Sequence, residues 1–229
     1  LLFALVTASL AYDWNNIPLL AERTVQRHPA SSGAHYELGY TYMILFEAEP
    51  NPVFSGVSLQ AFRDAYLLAD KSRKLESAIV LFHVASMYGE PQDTALLEEI
   101  MHAFRNRKVV ADEMKALLRF VNCRIESTCN TDYATYQEIF TNLLDNPALQ
   151  GSLRDDVLYI YATYLVAVPG REEQALVIMR DIVSRNPENL GYKVKLIPVL
   201  LTNEYKEEAY KIMDELTQRY GTEWKIIRK

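Results

Sequence analysis

AHYELGYTYM, residues 34–43, reads as helix, yet it carries Gly39 at its centre with Tyr36, Tyr40 and Tyr42 around it. A glycine inside a helix costs about 0.5–1 kcal/mol relative to alanine. Something must offset that cost, and close approach of a second helix can do so. Without a Cβ at Gly39 two backbones can meet, and Leu38 and Tyr42 fill the space beside the contact. Leu38, Gly39 and Tyr42 then form the packing side. Tyr36, Tyr40 and Met43, at i, i+4 and i+7, form a stripe on the other side. The preceding helix, in IPLLAERTVQRHP (17–29), offers Ala21 and Val25 as a packing face. Pro18 lies in its first turn, where a proline is tolerated.

The same reading extends along the chain. Prolines and glycines divide it into pieces of roughly 10–17 residues, most with apolar positions at i, i+3, i+4 and i+7. In TALLEEIMHAFRN (94–106) the stripe is Leu96, Leu97, Ile100, Met101 and Phe104; in ADEMKALLRFVN (111–122) it is Met114, Leu117, Leu118 and Val121. Asp93, Asp132 and Ser152 stand where helix N-caps belong. No piece alternates apolar and polar residues as a half-buried strand would. The expectation is an all-α chain of about a dozen short helices and no sheet.

REEQALVIMRDIVSRNP (171–187) lies over YKEEAYKIMDELTQRYG (205–221) at an offset of 34. Glu173 meets Glu207, Ala175 meets Ala209, Ile178 meets Ile212, Met179 meets Met213 and Arg185 meets Arg219. A 34-residue period of helix pairs, together with PASSGAHYELGYTYM (29–43), resembles the tetratricopeptide repeat, or TPR. The resemblance is clearest over 12–46 and 153–220; residues 50–150 keep the helix-pair rhythm with degenerate motifs. It implies a single domain over 1–229, a right-handed superhelix of antiparallel helix pairs whose first helices line a concave groove. Leu38, Gly39, Tyr42, Ala175, Met179, Ala209 and Met213 then fall on repeat-packing positions. Tyr36, Tyr40 and Met43, and by alignment Ile160, Tyr164 and Lys195, fall on the groove face, where a protein or peptide would bind. TPRs that clamp an acidic C-terminus use Lys and Asn on that face. Tyr36 and Tyr40 stand there here, so carboxylate clamping is not expected. Pro198, inside a helix by the alignment, is expected to kink or shorten it.

The totals exclude several alternatives. The formal charge is −6 over 229 residues. Residues 170–229 hold 11 Lys+Arg against 10 Asp+Glu, so the positive charge is not segregated and no nucleic-acid partner is expected. No phosphate-binding, dinucleotide, nucleophile-elbow or H-E-x-x-H motif occurs. No two of His28, His35, His83 and His102 share a ligand spacing on one helix, so neither metal nor cofactor is expected. Acidic pairs such as Glu98-Glu99, Asp155-Asp156 and Glu207-Glu208 diverge around a helix and read as solvated faces. Cys123 and Cys129 are either a local loop disulfide or two free thiols.

LLFALVTASLA (1–11) holds no charge. It is too short for a membrane span, which needs about 20 residues. It reads as a helix buried in the fold, or as one continuing from a membrane anchor ahead of Leu1. LVTASLAYDWNNIPLLAERTVQRHPASSGAHYELGYTYM (5–43) resembles the junction in polytopic bacterial membrane proteins, some glycosyltransferase-like, where a last span leads through a D-W segment into TPRs. That resemblance implies an extracytoplasmic (periplasmic) domain; without it the chain reads as cytoplasmic. Three functions follow from the sequence. The first is a non-catalytic scaffold that binds protein or peptide. The second is a substrate-gripping domain of a membrane glycosyltransferase-type enzyme. The third is an oligomerising scaffold whose uncapped ends associate, the apolar N-terminal helix being the sticky one. At the other end Trp224, Ile226 and Ile227 are expected to cap the last apolar face.

Overall fold

The computed structural model describes residues 16–221. Among them are eleven α-helices and no strand: α1 (Ile17–Arg27), α2 (Ser32–Ala48), α3 (Pro52–Leu68), α4 (Lys74–Met87), α5 (Thr94–Asn106), α6 (Ala111–Ile125), α7 (Tyr133–Leu144), α8 (Gly151–Val166), α9 (Glu172–Arg185), α10 (Leu190–Thr202) and α11 (Lys206–Tyr220). The expected N-terminal helix and the expected cap at Trp224, Ile226 and Ile227 fall outside the described residues.

Short polar side chains start the helices by taking up amides that have no partner within the helix. Asn16 accepts from the Leu19 amide, Ser31 from Ala34, Asn51 from Val53 and Asn189 from Tyr192. Asp93 accepts from Leu96 at 3.0 Å, as the sequence indicates. Pro18 and Pro52 sit in first turns. At α6 the bond runs the other way: the buried Glu113 carboxylate accepts from the Val110 amide at 2.9 Å, half of a capping box. Helix α8 starts at Gly151, one residue before the expected cap Ser152, with Gln150 at the cap position. Pro198 does not end α10, which runs through it to Thr202.

Where the sequence reads as one array, backbone packing divides the described residues into two compact units. The first holds 16–103, 110–123 and 127–132; the second holds 104–109, 124–126 and 133–221. In the first, α1 packs on α2, α2 on α3 and α3 on α4. Gly39 is buried against Phe62 of α3, and the buried Ser58 hydroxyl donates to the Gly39 carbonyl at 2.8 Å. The core continues through Leu75, Ile79 and Phe82 of α4, whose ring meets Phe120 of α6 edge-on at 5.5 Å. Each such fully buried side chain contributes about 1.5–3 kcal/mol.

In the second unit α7 packs on α8, α8 on α9, α9 on α10 and α10 on α11. Its core includes Phe104, Tyr136, Phe140, Tyr164, Leu176 and Leu200. Two pairs 34 apart are buried alike here, Ala175 and Ala209 at 0% exposed and Ile182 and Leu216 at 0% and 1%, whereas Leu176 is buried and Tyr210 exposed. Two polar anchors fix connections. Asn146, on the turn after α7, donates to the carbonyls of Phe104 (2.6 Å) and Arg107 (2.7 Å) and accepts from the Ala148 amide (2.8 Å). Asp155 of α8, buried, accepts from Arg185 and from Asn186 at the end of α9.

Candidate binding cleft

Two helices of the second unit present matched stripes. On α8, Tyr159, Thr163 and Val166 recur at i, i+4 and i+7, and on α10 Lys195, Pro198, Val199 and Thr202 recur at i, i+3, i+4 and i+7. These spacings place each set on one helix face. With Ile125 and Ala167 they enclose an open cleft of about 270 Å³. Its lining is apolar except for the two threonines, the Tyr159 phenol and one amine. That amine, Lys195 Nζ, sits 4.0 Å from the Tyr159 ring centroid, a cation–π contact that holds the cation at the rim.

The ring of Tyr159 is itself positioned. Tyr192 of α10 lies beside it at 6.4 Å between centroids, and the Tyr192 hydroxyl donates to Asp156 Oδ1 at 2.8 Å. Burial, then the bond to Asp156, pushes the Tyr192 phenol well above its usual range. The Thr163 hydroxyl donates back to the Tyr159 carbonyl at 2.9 Å. Such a site can grip an apolar side chain and hold an acidic or carbonyl oxygen at Lys195. No carboxylate lines it.

Of the expected groove residues, Lys195 lines this cleft and is exposed. Tyr164 is a correction: its ring is 0% exposed and stacks on Tyr136 at 4.7 Å, inside the core. Ile160 is buried as well. The open face of α8 is turned so that Tyr159 and Thr163 take the places expected for Ile160 and Tyr164. The segment VLYIYATYLVAV (157–168) is apolar almost throughout, and a helix apolar all round gives no phase. Thr163, its only residue that is neither apolar nor aromatic, was the available marker.

In the first unit the tyrosine stripe splits. Tyr36 is half-buried, edge-on to Phe62 at 5.5 Å, with Arg119 Nη1 3.4 Å from its hydroxyl. It packs against neighbouring elements of its own unit. Tyr40 is 39% exposed and Met43 is half-buried. Within the first unit Tyr36 is thus drawn into packing while Tyr40 stays exposed, and in the second unit Tyr164 is core. Among the packing positions, Gly39, Ala175, Met179 and Ala209 are buried, whereas Leu38 and Met213 are half-buried. Tyr42 reaches both neighbours, its ring 5.9 Å from Phe54 and its hydroxyl donating to Glu22 of α1. That bond, then burial, pushes the phenol up to about 12.

His35 is buried, donates from Nε2 to the Pro29 carbonyl at 2.9 Å and lies 3.6 Å from Asp64; His28 is exposed. Cys123 and Cys129 are joined in a disulfide, with Cα atoms 5.5 Å apart. Among the described residues no helix is long and apolar enough to cross a membrane. Comparison of the chain with protein-family models, curated proteins and solved structures finds no match.

Proposed function

We propose that the chain is a TPR-like helical-repeat scaffold that binds an extended peptide segment of another protein, and that the α8–α10 cleft is a principal contact. The observation that carries the reading is the cleft itself: two i, i+4, i+7 stripes facing each other, apolar, open and rimmed by a single cation. The segment it suits presents one bulky apolar side chain with an acidic residue close by. Aromatic rings offer large contact area at low entropy cost, and Tyr159 supplies one, held by Tyr192 and Lys195.

The repeat part of the reading has its own support. Helices α1, α3, α5, α7, α9 and α11 begin at 17, 52, 94, 133, 172 and 206, so helix pairs recur every 34 to 42 residues. Connections of three to seven residues favour antiparallel neighbours. The longer spacing in the middle accounts for a motif that fades between 50 and 150. Stacking of such pairs into a right-handed superhelix is part of the proposal. So is the placing of α2, α4, α6, α8 and α10 on its inner side.

The test replaces Thr202 with a photo-cross-linking amino acid and captures partners from host extracts. Tyr159→Ala and Lys195→Glu are run beside Tyr36→Ala/Tyr40→Ala. A partner lost by the two cleft variants, with helicity retained in circular dichroism, supports the reading. Capture unchanged by both removes the cleft from function. A cross-linked second copy of the chain instead favours the oligomerising scaffold.

A further inference from the structure

We propose that Cys123, Cys129 and His83 form a zinc site in the dithiol state of the protein, closed in the disulfide state. Among the described residues these three make one cluster of possible metal ligands, their donor atoms all within 4.8 Å of one another. A tetrahedral zinc with bonds of about 2.3 Å to sulfur and 2.0–2.1 Å to nitrogen sets its donors roughly 3.5–3.8 Å apart. Opening the S–S bond frees the two sulfurs to separate toward that spacing, with a His83 ring nitrogen already within 4.8 Å of both.

The arrangement is held independently of the disulfide. Cys123 lies on α6 and His83 on α4, whose packing is fixed by Phe82 and Phe120. Cys129 lies on the loop after α6, and that loop is tied to α4 at Ser86, one turn beyond His83. The Asn130 amide bonds the Ser86 carbonyl (3.3 Å) and hydroxyl (3.2 Å), and the buried Thr131 and Ser86 hydroxyls share a 2.5 Å bond. Thr128 closes the other end, its amide donating to the Cys123 carbonyl at 2.9 Å. Reduction therefore leaves the donors assembled, which is the condition for a preorganised site. The Thr128 hydroxyl, 3.3 Å from Cys123 Sγ, is placed to support a thiolate as an outer-shell donor.

Charge selects the ion. Cys123 and Cys129 are buried, so a complex with net charge would be costly there. Two thiolates and a neutral imidazole cancel Zn²⁺, whereas with Cu⁺ they leave one negative charge. Three protein donors leave the fourth tetrahedral position to water. The opening step needs a dithiol reductant. Its two thiols give two electrons and two protons to the Cys123–Cys129 bond and leave as a disulfide, producing two protein thiols. Zinc binding then displaces both thiol protons.

The test uses the whole chain, reduced anaerobically, freed of reductant and titrated with Co²⁺ and then Zn²⁺. The expected result is one Co²⁺ per chain, with tetrahedral d–d bands and thiolate-to-cobalt charge transfer, displaced stoichiometrically by Zn²⁺. The oxidised wild type, which needs no substitution, should take up none. His83→Gln should weaken zinc binding at least about a hundredfold, since loss of an outer-shell partner alone costs about 10–100-fold. Thr128→Val should weaken it by about tenfold. Absence of the charge-transfer band overturns the site. So does equal uptake by the oxidised chain, or undiminished affinity in His83→Gln. If reduction melts the helices, recovery of helicity on adding Zn²⁺ supports the site and failure to recover overturns it.

Discussion

Gly39→Ala separates two effects of opposite sign. Helix propensity alone favours alanine by about 0.5–1 kcal/mol. The structure opposes it, because a Cβ at position 39 would lie 2.9 Å from Phe62 Cγ and Cδ2 and 3.0 Å from Cε2. Carbon atoms pack best at about 3.5–4.0 Å, so the ring must retreat by about 0.6–1 Å. It cannot do so cheaply. Cγ is the root of the ring, so moving it requires either an off-rotamer χ1 or a shift of α3. Phe62 is only 2% exposed, and its ring is met edge-on by Tyr36. The shift would also strain the 2.8 Å bond from Ser58 to the Gly39 carbonyl. Overpacking of this kind costs about 1–3 kcal/mol, and this geometry belongs in the upper half of that range.

The expected net effect is a destabilisation of about 1–2 kcal/mol, or a Tm lower by about 2–8 °C for a chain of this size. Urea unfolding followed by far-UV circular dichroism should show a lower midpoint with an unchanged slope. Phe62→Leu removes the ring. In that background Gly39→Ala should become neutral or mildly stabilising, a coupling of about 1 kcal/mol or more. A single Gly39→Ala variant as stable as the wild type, or more so, refutes the close approach of α2 and α3 at this residue.

Asn146→Ala should cost about 2–4 kcal/mol, since the carbonyls of Phe104 and Arg107 both lose the donor they share; thermal unfolding measures it. Arg185→Ala should cost about 1–3 kcal/mol by leaving the buried Asp155 carboxylate only the Asn186 amide. A double variant with Asp155→Asn should recover part of that. Tyr42 and Tyr66 have phenols pushed up to about 12, Tyr42 chiefly by its bond to Glu22 and Tyr66 chiefly by burial. A folded-state value above the ordinary one of about 10 means the stabilisation is complete below pH 10 and is lost as pH rises through 12. Tyrosinate absorbance should therefore show late-ionising phenols, one fewer in Tyr42→Phe. Tyr159→Ala should weaken a captured peptide by about tenfold or more while leaving helicity unchanged.

The residues that were legible in the sequence are those whose meaning is local. Asp93 and Pro18 mark helix starts because an N-cap or first-turn residue acts within three positions of itself. Gly39 announces a close approach because its cost is intrinsic to the helix. What met it was not legible: Phe62 lies 23 positions away, and nothing in AHYELGYTYM distinguishes it from Phe54 or Phe46 as the partner. The face of α8 failed for a different reason. A helix apolar on all sides carries no phase in its pattern, so an alignment to α2 placed Ile160 and Tyr164 on the surface when packing against α7 and α9 buries both. The cleft was then half found, through Lys195, because a lone cation in VKLIPVLLT can only face outward.

The cysteines mark the limit of local reasoning most sharply. Their spacing alone left disulfide and free thiols open, because a five-residue gap permits either. What decides their surroundings is Ser86, 44 positions before Asn130, which draws the loop onto α4 and sets Cys129 beside His83. Ser86 and Thr131 are therefore the residues that connect loop order to cluster geometry. Ser86→Ala should free the loop while sparing α4 and α6, raising amide exchange at residues 129–131 far more than elsewhere. It removes a side-chain bond to the Asn130 amide and another to Thr131, so exchange there should rise by about tenfold, corresponding to roughly 1.4 kcal/mol. If exchange at those amides is unchanged, the loop is held by the disulfide alone, and the donors would not stay assembled once it is reduced.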